Sequence, residues 1–473
     1  MSATKTDAAS GPPSASVAVY RGRFDPPGLH HIDVIHALLR RFVRVFVVPW
    51  GAVNDRAADE NVASVYRARL IDLAFSRLGP RVTVDLRDVE HLSSTSSQTL
   101  AVELAMSGES ATFVVESDGI AEDRARLHDG APFVVVAPEG VAVPGIEEDR
   151  VIRVDKDVQG RVMRERAFSG KDVEALVPPA VAADIRRRGL YRSIEPRNQT
   201  RLRFPAGSKV FVSMDERNPR AHELRARLGD LVTTDIAEAA AIVVIGGDGS
   251  MLHAIQTHWR RRLPYIGLNA GHLGFLLNDA STALPTPKDG DADDAAGRLL
   301  SSELIVHHMP MLFVELQKKD GTWVSGLTFN DAWVERASGQ SAWVEVKVDD
   351  HVRIEKLICD GVLVSTAAGS TAYARSMGAS PLLADTPAWL IVGSNVMDPL
   401  SWKSALLAKN SVVEIRSLHI EKRPLAGYLH SVSMGEVVVM RARLSRAASA
   451  ELCFLGLNDL TEKIARVQFI AAR

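Results

Sequence analysis

The chain has 473 residues, a length that suggests about three domains of ordinary size, and 46% of them are apolar, enough for sizeable cores. Its 56 basic and 58 acidic residues leave a formal charge of −2, which argues against a chain-wide nucleic-acid footprint or an anionic membrane surface as partner. Two cysteines, Cys359 and Cys453, argue against a disulfide-stapled scaffold or a cysteine zinc site and favour a reducing, cytoplasmic setting; with no apolar run of about 18 residues, no membrane span is expected.

Residues 1–15 are polar, lack an apolar leader core and read as a disordered tail. Val17-Ala18-Val19-Tyr20 then predicts a strand, followed by a Gly/Pro-rich turn and a helix-period segment. Short apolar runs at Val43 to Val48, Thr112 to Val115 and Phe133 to Ala137 alternate with helix-like pieces, so residues 16–192 are expected to form a parallel α/β sheet. Pro178 and Pro179 open a helix that Gly189 closes. Its basic end, Arg186-Arg187-Arg188, reads as a solvated turn complementing the helix dipole.

Residues 193–204 are polar and are expected to be a linker. A second α/β lobe is expected over 205–300, with strands at Val210 to Val212 and Ala241 to Ile245 and a helix from Pro219 to Leu228. Pro285 to Gly297 reads as an exposed loop. After it the apolar period becomes two, and the runs at Met311 to Leu316 and Thr322 to Leu327 flank Asp320-Gly321, a hairpin signal. Residues 301–473 are therefore expected to form an antiparallel β domain with a C-terminal segment. His307-His308 has no third ligand at metal spacing and reads as a strand-exposed pair; no protein ligand for a metal is assigned.

The most informative segment is Ile245-Gly246-Gly247-Asp248-Gly249-Ser250-Met251-Leu252, an apolar strand running through glycines into a helix. Glycines let backbone N–H groups approach phosphates closely, and the helix N-terminus adds positive potential. A carboxylate there disfavours phosphate but suits the removal of a proton from an attacking hydroxyl. The alternative is a tight strand-to-helix turn with a capping Asp.

Downstream stand Gly271-His272-Leu273-Gly274-Phe275-Leu276, then Asn330-Asp331, then Asp360-Gly361 leading to Gly369-Ser370-Thr371-Ala372-Tyr373. With the glycine loop these resemble, in order, the GGDGT, G-x-L-G-F-L, Asn-Glu and DG…GSTAY motifs of the NAD kinase family, across about residues 205 to 470. The resemblance implies an α/β lobe plus an antiparallel β domain, and Mg²⁺-dependent transfer of the ATP γ-phosphoryl group to the 2′-hydroxyl of the adenosine ribose of NAD. It makes Asp248 the general base. Gly246, Gly247, Gly249 and Ser250 would hold phosphates, and Asn330, Asp331, Asp360, Thr366, Ser370, Thr371, Ala372, Tyr373 and Asp398 would line the dinucleotide pocket. It further implies a homo-oligomer, dimer or tetramer, formed through the β domain. Three positions depart from the pattern: Asp331 for Glu, Gly378-Ala379-Ser380-Pro381 for a Gly-Gly-Pro loop, and Met397-Asp398 for a Pro-His step.

Gly22-Arg23-Phe24-Asp25-Pro26-Pro27-Gly28-Leu29-His30-His31 follows the first strand directly. It resembles the G-x-F-D-P-x-H-x-G-H opening of nicotinate or nicotinamide mononucleotide adenylyltransferases, members of the Rossmann-like nucleotidyltransferases. Further echoes are Ser96 to Leu100, Glu116-Ser117-Asp118, Phe133 to Val136 and Lys171 to Arg192. The resemblance implies catalysis at His31, with Gly22, Phe24, Asp25, His30 and Arg164 binding ATP and its phosphates through charged imidazoles and a helix N-terminus. Gly28 stands where the family has its first His, His30 where it has Gly, and Val158 to Arg164 keeps only the Arg of the I-S-S-T-x-x-R segment. Together the two resemblances imply a bifunctional enzyme that builds a dinucleotide from ATP and a pyridine mononucleotide and then phosphorylates it. The alternatives are a kinase with a degenerate regulatory first domain, a divergent pair acting on a modified nucleotide, and a non-catalytic dinucleotide sensor.

Overall fold

The computed structural model describes residues 15–51, 62–117, 119–154, 160–192, 199–271, 274–285, 295–383, 386–456 and 463–464. The expected tail before residue 15, Asp118, Val158-Gln159, the linker's first half and His272-Leu273 lie outside the described residues. The chain divides into two compact units, Met1–Glu195 and Pro196–Arg473. Among the described residues no helix is long and apolar enough to cross a membrane.

The first unit contains β1 (Ala15–Gly22), α1 (Leu29–Leu39), β2 (Arg44–Pro49), α2 (Ser64–Phe75), β3 (Val82–Val84), α3 (Arg87–His91), α4 (Ser97–Met106), β4 (Glu109–Glu116), α5 (Ile120–Ala125), β5 (Phe133–Pro138), β6 (Val151–Val154), α6 (Gly160–Phe168) and α7 (Pro179–Arg188). Its six strands are all parallel, in the order β3-β2-β1-β4-β5-β6. A parallel strand covered on both faces reads as an unbroken apolar run, which is why Val17 to Tyr20, all at 0% exposure, were legible as β1. The strand order reverses between β1 and β4, where such sheets open a crevice at their carboxyl ends.

The expectation for Arg186 to Arg188 is corrected in part. Arg186 is exposed and pairs with Glu174, but Arg188 is fully buried. Asp184, one turn earlier, accepts from Arg69, Arg187 and Arg188. Burial opposes ionisation of Asp184, but Arg69, Arg188 and Arg187 outweigh it and hold the carboxyl well below the usual range. The basic run is half internal ion-pair network because α7 packs that face on α2.

The second unit contains β7 (Gln199–Leu202), β8 (Val210–Met214), α8 (Pro219–Ala226), β9 (Val232–Thr233), β10 (Ala241–Gly246), α9 (Asp248–His258), β11 (Tyr265–Asn269), β12 (Asn278–Asp279), α10 (Ala280–Ala283), α11 (Ala295–Ser301), β13 (Leu304–Gln317) and β14 (Trp323–Thr328). There follow β15 (Asp331–Arg336), β16 (Ala342–Val348), β17 (His351–Cys359), β18 (Gly361–Ser365), α12 (Tyr373–Ser376), β19 (Ala388–Ser394), β20 (Ser404–Ala408), β21 (Val412–Ser417), β22 (Leu425–Leu429), β23 (Val432–Val437) and β24 (Val439–Phe454). A 12-stranded sheet carries the parallel lobe β9-β8-β10-β11 and, through β24, the antiparallel strands β21, β16 and β17, with β13 also on β24. A six-stranded antiparallel sheet, β20-β19-β18-β15-β22-β23, faces the second part of it across one apolar core. The hairpin β13–β14 turns at Gly321, whose φ of +88° suits glycine.

Four expectations change here. Residues 199–202, inside the expected linker, form β7 on the edge of β13, and Phe204 joins the core beneath. The partner lies a hundred residues on, so the pairing left no local trace. Residues 295–297 belong to helix α11. β13 and β24 run through both lobes, so 300/301 is no break in the sheet. His307 and His308 are buried, because β13 is flanked by β7 and β24, and the His308 ring lies 2.9 Å from Ser449 Oγ.

Candidate nucleotide sites

In the second unit, β10 delivers Gly246 against the start of α9. A Cβ on Gly246 would stand 2.3 Å from Ser250 Oγ, so the turn is built for glycine. Gly247 caps α9 without a side chain, and Asp248 is the first helical residue. Both carboxylate oxygens of Asp248 accept backbone N–H groups, Oδ2 from Phe275 at 3.0 Å and Oδ1 from Leu276 at 2.9 Å. Ala270 N donates to Gly246 O. The first two motifs are thus one structure, with Asp248 tying the Gly274–Leu276 segment to the helix N-terminus.

The other two motifs also meet. Thr366 N donates to Asn330 O at 2.9 Å, Thr366 Oγ1 donates to Phe329 O at 2.8 Å, and Gly369 N donates to Thr366 Oγ1 at 3.1 Å. A Cβ on Gly369 would stand 2.5 Å from Asn330 O. Asn330 Oδ1 is buried and has no hydrogen-bond partner among the described residues. The half-buried Asp331 carboxyl is pushed up to about 6 by burial. Phe329 and Ala368 pack into the same apolar cluster as Met251 of α9 and Leu276, which brings the two motif pairs onto one support.

The remaining candidates divide. Ser370 is buried, donating to Ala367 O and accepting from Leu382 N, and so closes its own turn. Thr371 Oγ1 donates to Ala368 O, and Ala372 N to Gly369 O. Tyr373 is 41% exposed, its ring against Trp333. Asp360 is held away from a free role: Arg336 Nε and Asn395 Nδ2 each donate to one of its oxygens at 2.7 Å. Asp398 is exposed, its backbone bridged to Ile358.

In the first unit, Gly22 ends β1, and a Cβ there would meet the Phe24 ring at 2.9 Å. Gly28 caps α1 and its N–H donates to His31 Nδ1 at 2.8 Å, which leaves the ring proton on Nε2. Burial, then the neighbouring His30, pushes the His31 pKa well below its ordinary value, and burial pushes His30 down to about 4. Burial thus favours the neutral form of both rings, and an arriving anion would draw protons back onto them. The two rings lie 3.8 Å apart, and a Cβ on Gly28 would stand 2.5 Å from His30 Nδ1. His30 thus fills the space that a side chain at position 28 would take. Tyr191 Oη donates to Asp25 Oδ1, and Arg164 Nη1 donates to Asp25 O at 2.6 Å, so Asp25 is a post for the turn.

Residues 185–283 match the ATP-NAD kinase N-terminal domain, and residues 330–426 match the ATP-NAD kinase C-terminal domain. The NAD kinase of Mesorhizobium japonicum is 32% identical over 266 residues, which span 56% of this chain and 98% of that protein. The chain belongs to the NAD kinase family. The NAD kinase of Rhizobium meliloti is 30% identical over 264 residues, covering 55% of this chain and 97% of the relative. A crystal structure of yeast NADH kinase with NADH covers 56% of this chain and 89% of its own at a TM-score of 0.48, with 18% identity.

Sequence reading missed three supports in this NAD kinase family member. Buried Arg67 donates to Arg23 O at 3.1 Å and to Trp50 O at 2.6 Å, fixing the turn before α1. Its signal was an arginine within the apolar run of α2. Tyr191, just past α7, reaches back to Asp25. Buried Asn278 donates to Gly267 O and Cys453 O and accepts from Leu455 N, locking β11 to β24 beside the glycine loop.

Proposed function

We propose that the second unit transfers the γ-phosphoryl group of ATP to the 2′-hydroxyl of the adenosine ribose of NAD. The observation that carries this is the convergence of Asp248, at a helix N-terminus behind a glycine turn, with the unpartnered Asn330 Oδ1 on a shared core. Gly246, Gly247, Gly249 and Ser250 lie at the positive end of α9, where phosphates are favoured. Asn330, Asp331 and the Thr366–Tyr373 segment hold the dinucleotide. Asp248 takes the hydroxyl proton as the new oxygen–phosphorus bond forms and ADP departs, exchanging a backbone N–H for the substrate hydroxyl. Mg²⁺ suits this chemistry as a companion of the triphosphate, whose charge it would neutralise. With both Asp248 oxygens engaged, phosphates and water would supply most of its ligands. We place the reaction in the cytoplasm, in a homo-oligomer joined through the β domain.

A second reading concerns the first unit and rests on its strand order and on His30 occupying the space beside Gly28. There a pyridine mononucleotide phosphate attacks the α-phosphorus of ATP and pyrophosphate leaves. His31, His30, Gly22, Phe24, Asp25 and Arg164 form or brace the phosphate site at the start of α1, within the crevice expected of this sheet. Mass spectrometry of products from ATP, Mg²⁺ and either nicotinamide mononucleotide, nicotinate mononucleotide or NAD tests both readings. Asp248→Asn should stop only phosphorylation and His31→Ala only adenylylation. Phosphorylation of NAD alone makes the first unit regulatory, and no turnover at all favours a modified nucleotide as substrate.

A further inference from the structure

Strand β15 carries more than Asp331 on its pocket side. Alternation puts Asp331, Trp333 and Glu335 on one face, while Ala332 and Val334 point into the core. Trp333 stacks on its cross-strand neighbour Tyr428, with ring centroids 4.8 Å apart and planes 8° from parallel. Tyr373 meets Trp333 edge to face at 5.4 Å. The Tyr428 phenol hydrogen-bonds Glu335. The Tyr373 phenol is pushed up by burial and then by the nearby charges of Glu335 and Asp331. Trp333 Nε1 is buried without a hydrogen-bond partner among the described residues, so ring contacts and apolar packing hold the indole.

Resting on the phosphoryl-transfer reading, we propose that the Tyr373–Trp333–Tyr428 rings with Asp331 and Glu335 form a subsite for a planar cation, the oxidised pyridinium ring of NAD, and so select NAD over NADH. Electron-rich ring faces attract cations, and carboxylates beside them add to the attraction. The pyridinium is the cationic ring of an oxidised dinucleotide at neutral pH; the reduced dihydropyridine is uncharged and gains neither interaction. Trp333 is a positioning residue in this scheme, holding the exposed Tyr373 ring in place.

Isothermal titration of the full chain with NAD and with NADH, without ATP, tests this independently of turnover. NAD should bind about ten-fold tighter than NADH, as expected for one partly desolvated cation–π contact with carboxylate support. Glu335→Gln should narrow that ratio about three-fold by weakening NAD alone. Trp333→Leu should narrow it too, and Trp333→Phe should restore most of it. Equal affinities, an equal loss for both dinucleotides in Glu335→Gln, or no binding of either overturns the proposal. Parallel turnover assays separate the two claims: selective binding without phosphorylation sinks the phosphoryl-transfer reading, whereas phosphorylation of both forms without selection sinks only the cation subsite.

Discussion

Replacing Asp331 by asparagine should make the protein more stable at neutral pH and a poorer enzyme. Burial raises the Asp331 carboxyl to about 6 from an ordinary 3.8, and among the described residues no group donates to that carboxylate. A folded-state value above the unfolded one means that the protonated form suits the fold. Its contribution is fully present below the unfolded value and is lost as pH rises through about 6. Above that the ionised carboxylate costs the fold up to about 3 kcal/mol, from roughly two units at about 1.4 kcal/mol each. Asparagine has nearly the same shape and no charge. Melting curves should therefore coincide with those of the parent protein near about pH 4 and separate by about 5 °C at about pH 8, with Asp331→Asn the higher. If Asp331 lines the dinucleotide pocket as proposed, turnover of NAD should fall over the same upper range, because the substitution removes a carboxylate from that pocket. A stability difference that is the same at both pH values, or reversed in sign, refutes the reasoning.

Three other substitutions probe separate supports. Asp248→Asn should lower kcat for phosphorylation by about 10²–10⁴-fold. It also sets an amide donor against the Phe275 or Leu276 N–H, for a loss of about 1–2 kcal/mol readable in urea titrations. Arg188→Ala should destabilise the first unit by about 3–5 kcal/mol, since it removes a cation from a buried network while Asp184 stays ionised. Gly28→Ala puts a methyl 2.5 Å from His30 Nδ1; under the adenylyl-transfer reading proposed for the first unit it should abolish that step while NAD phosphorylation by the second unit continues.

What sequence reading reached and what it missed follow from the range of the interactions. Strands β1, β2, β4, β5 and β10 were legible because both-face burial demands unbroken apolar runs. The glycine turn was legible because a Cβ cannot fit beside Ser250. β7 was read as linker because its partner β13 comes a hundred residues later, and the same distance hid the burial of His307 and His308. The tether on Asp248 uses backbone N–H groups, which every residue owns, so no side chain announced it. The bias of His30 and His31 toward the neutral form is a property of surrounding volume rather than of residue type. Arg188 was misread although Asp184 stands at helical spacing from it, a pairing the periodicity contained.

Strand β24 bears on how this protein is made. It pairs with β11, β13 and β21, so it is the seam that joins the parallel lobe to the antiparallel one. Synthesis runs from the N-terminus, and the first unit can complete its sheet while the second is still being translated. The second unit has no such order of assembly. β13 emerges early and must keep a long apolar flank uncovered until β24 follows, after the whole intervening β domain has been made. The glycine turn waits as well, because the strand next to its own, β11, is anchored to that late seam through Asn278. Nascent chains that stall before β24 thus carry both an unfinished kinase site and an open sheet edge, and are the species on which chaperones and proteases would act.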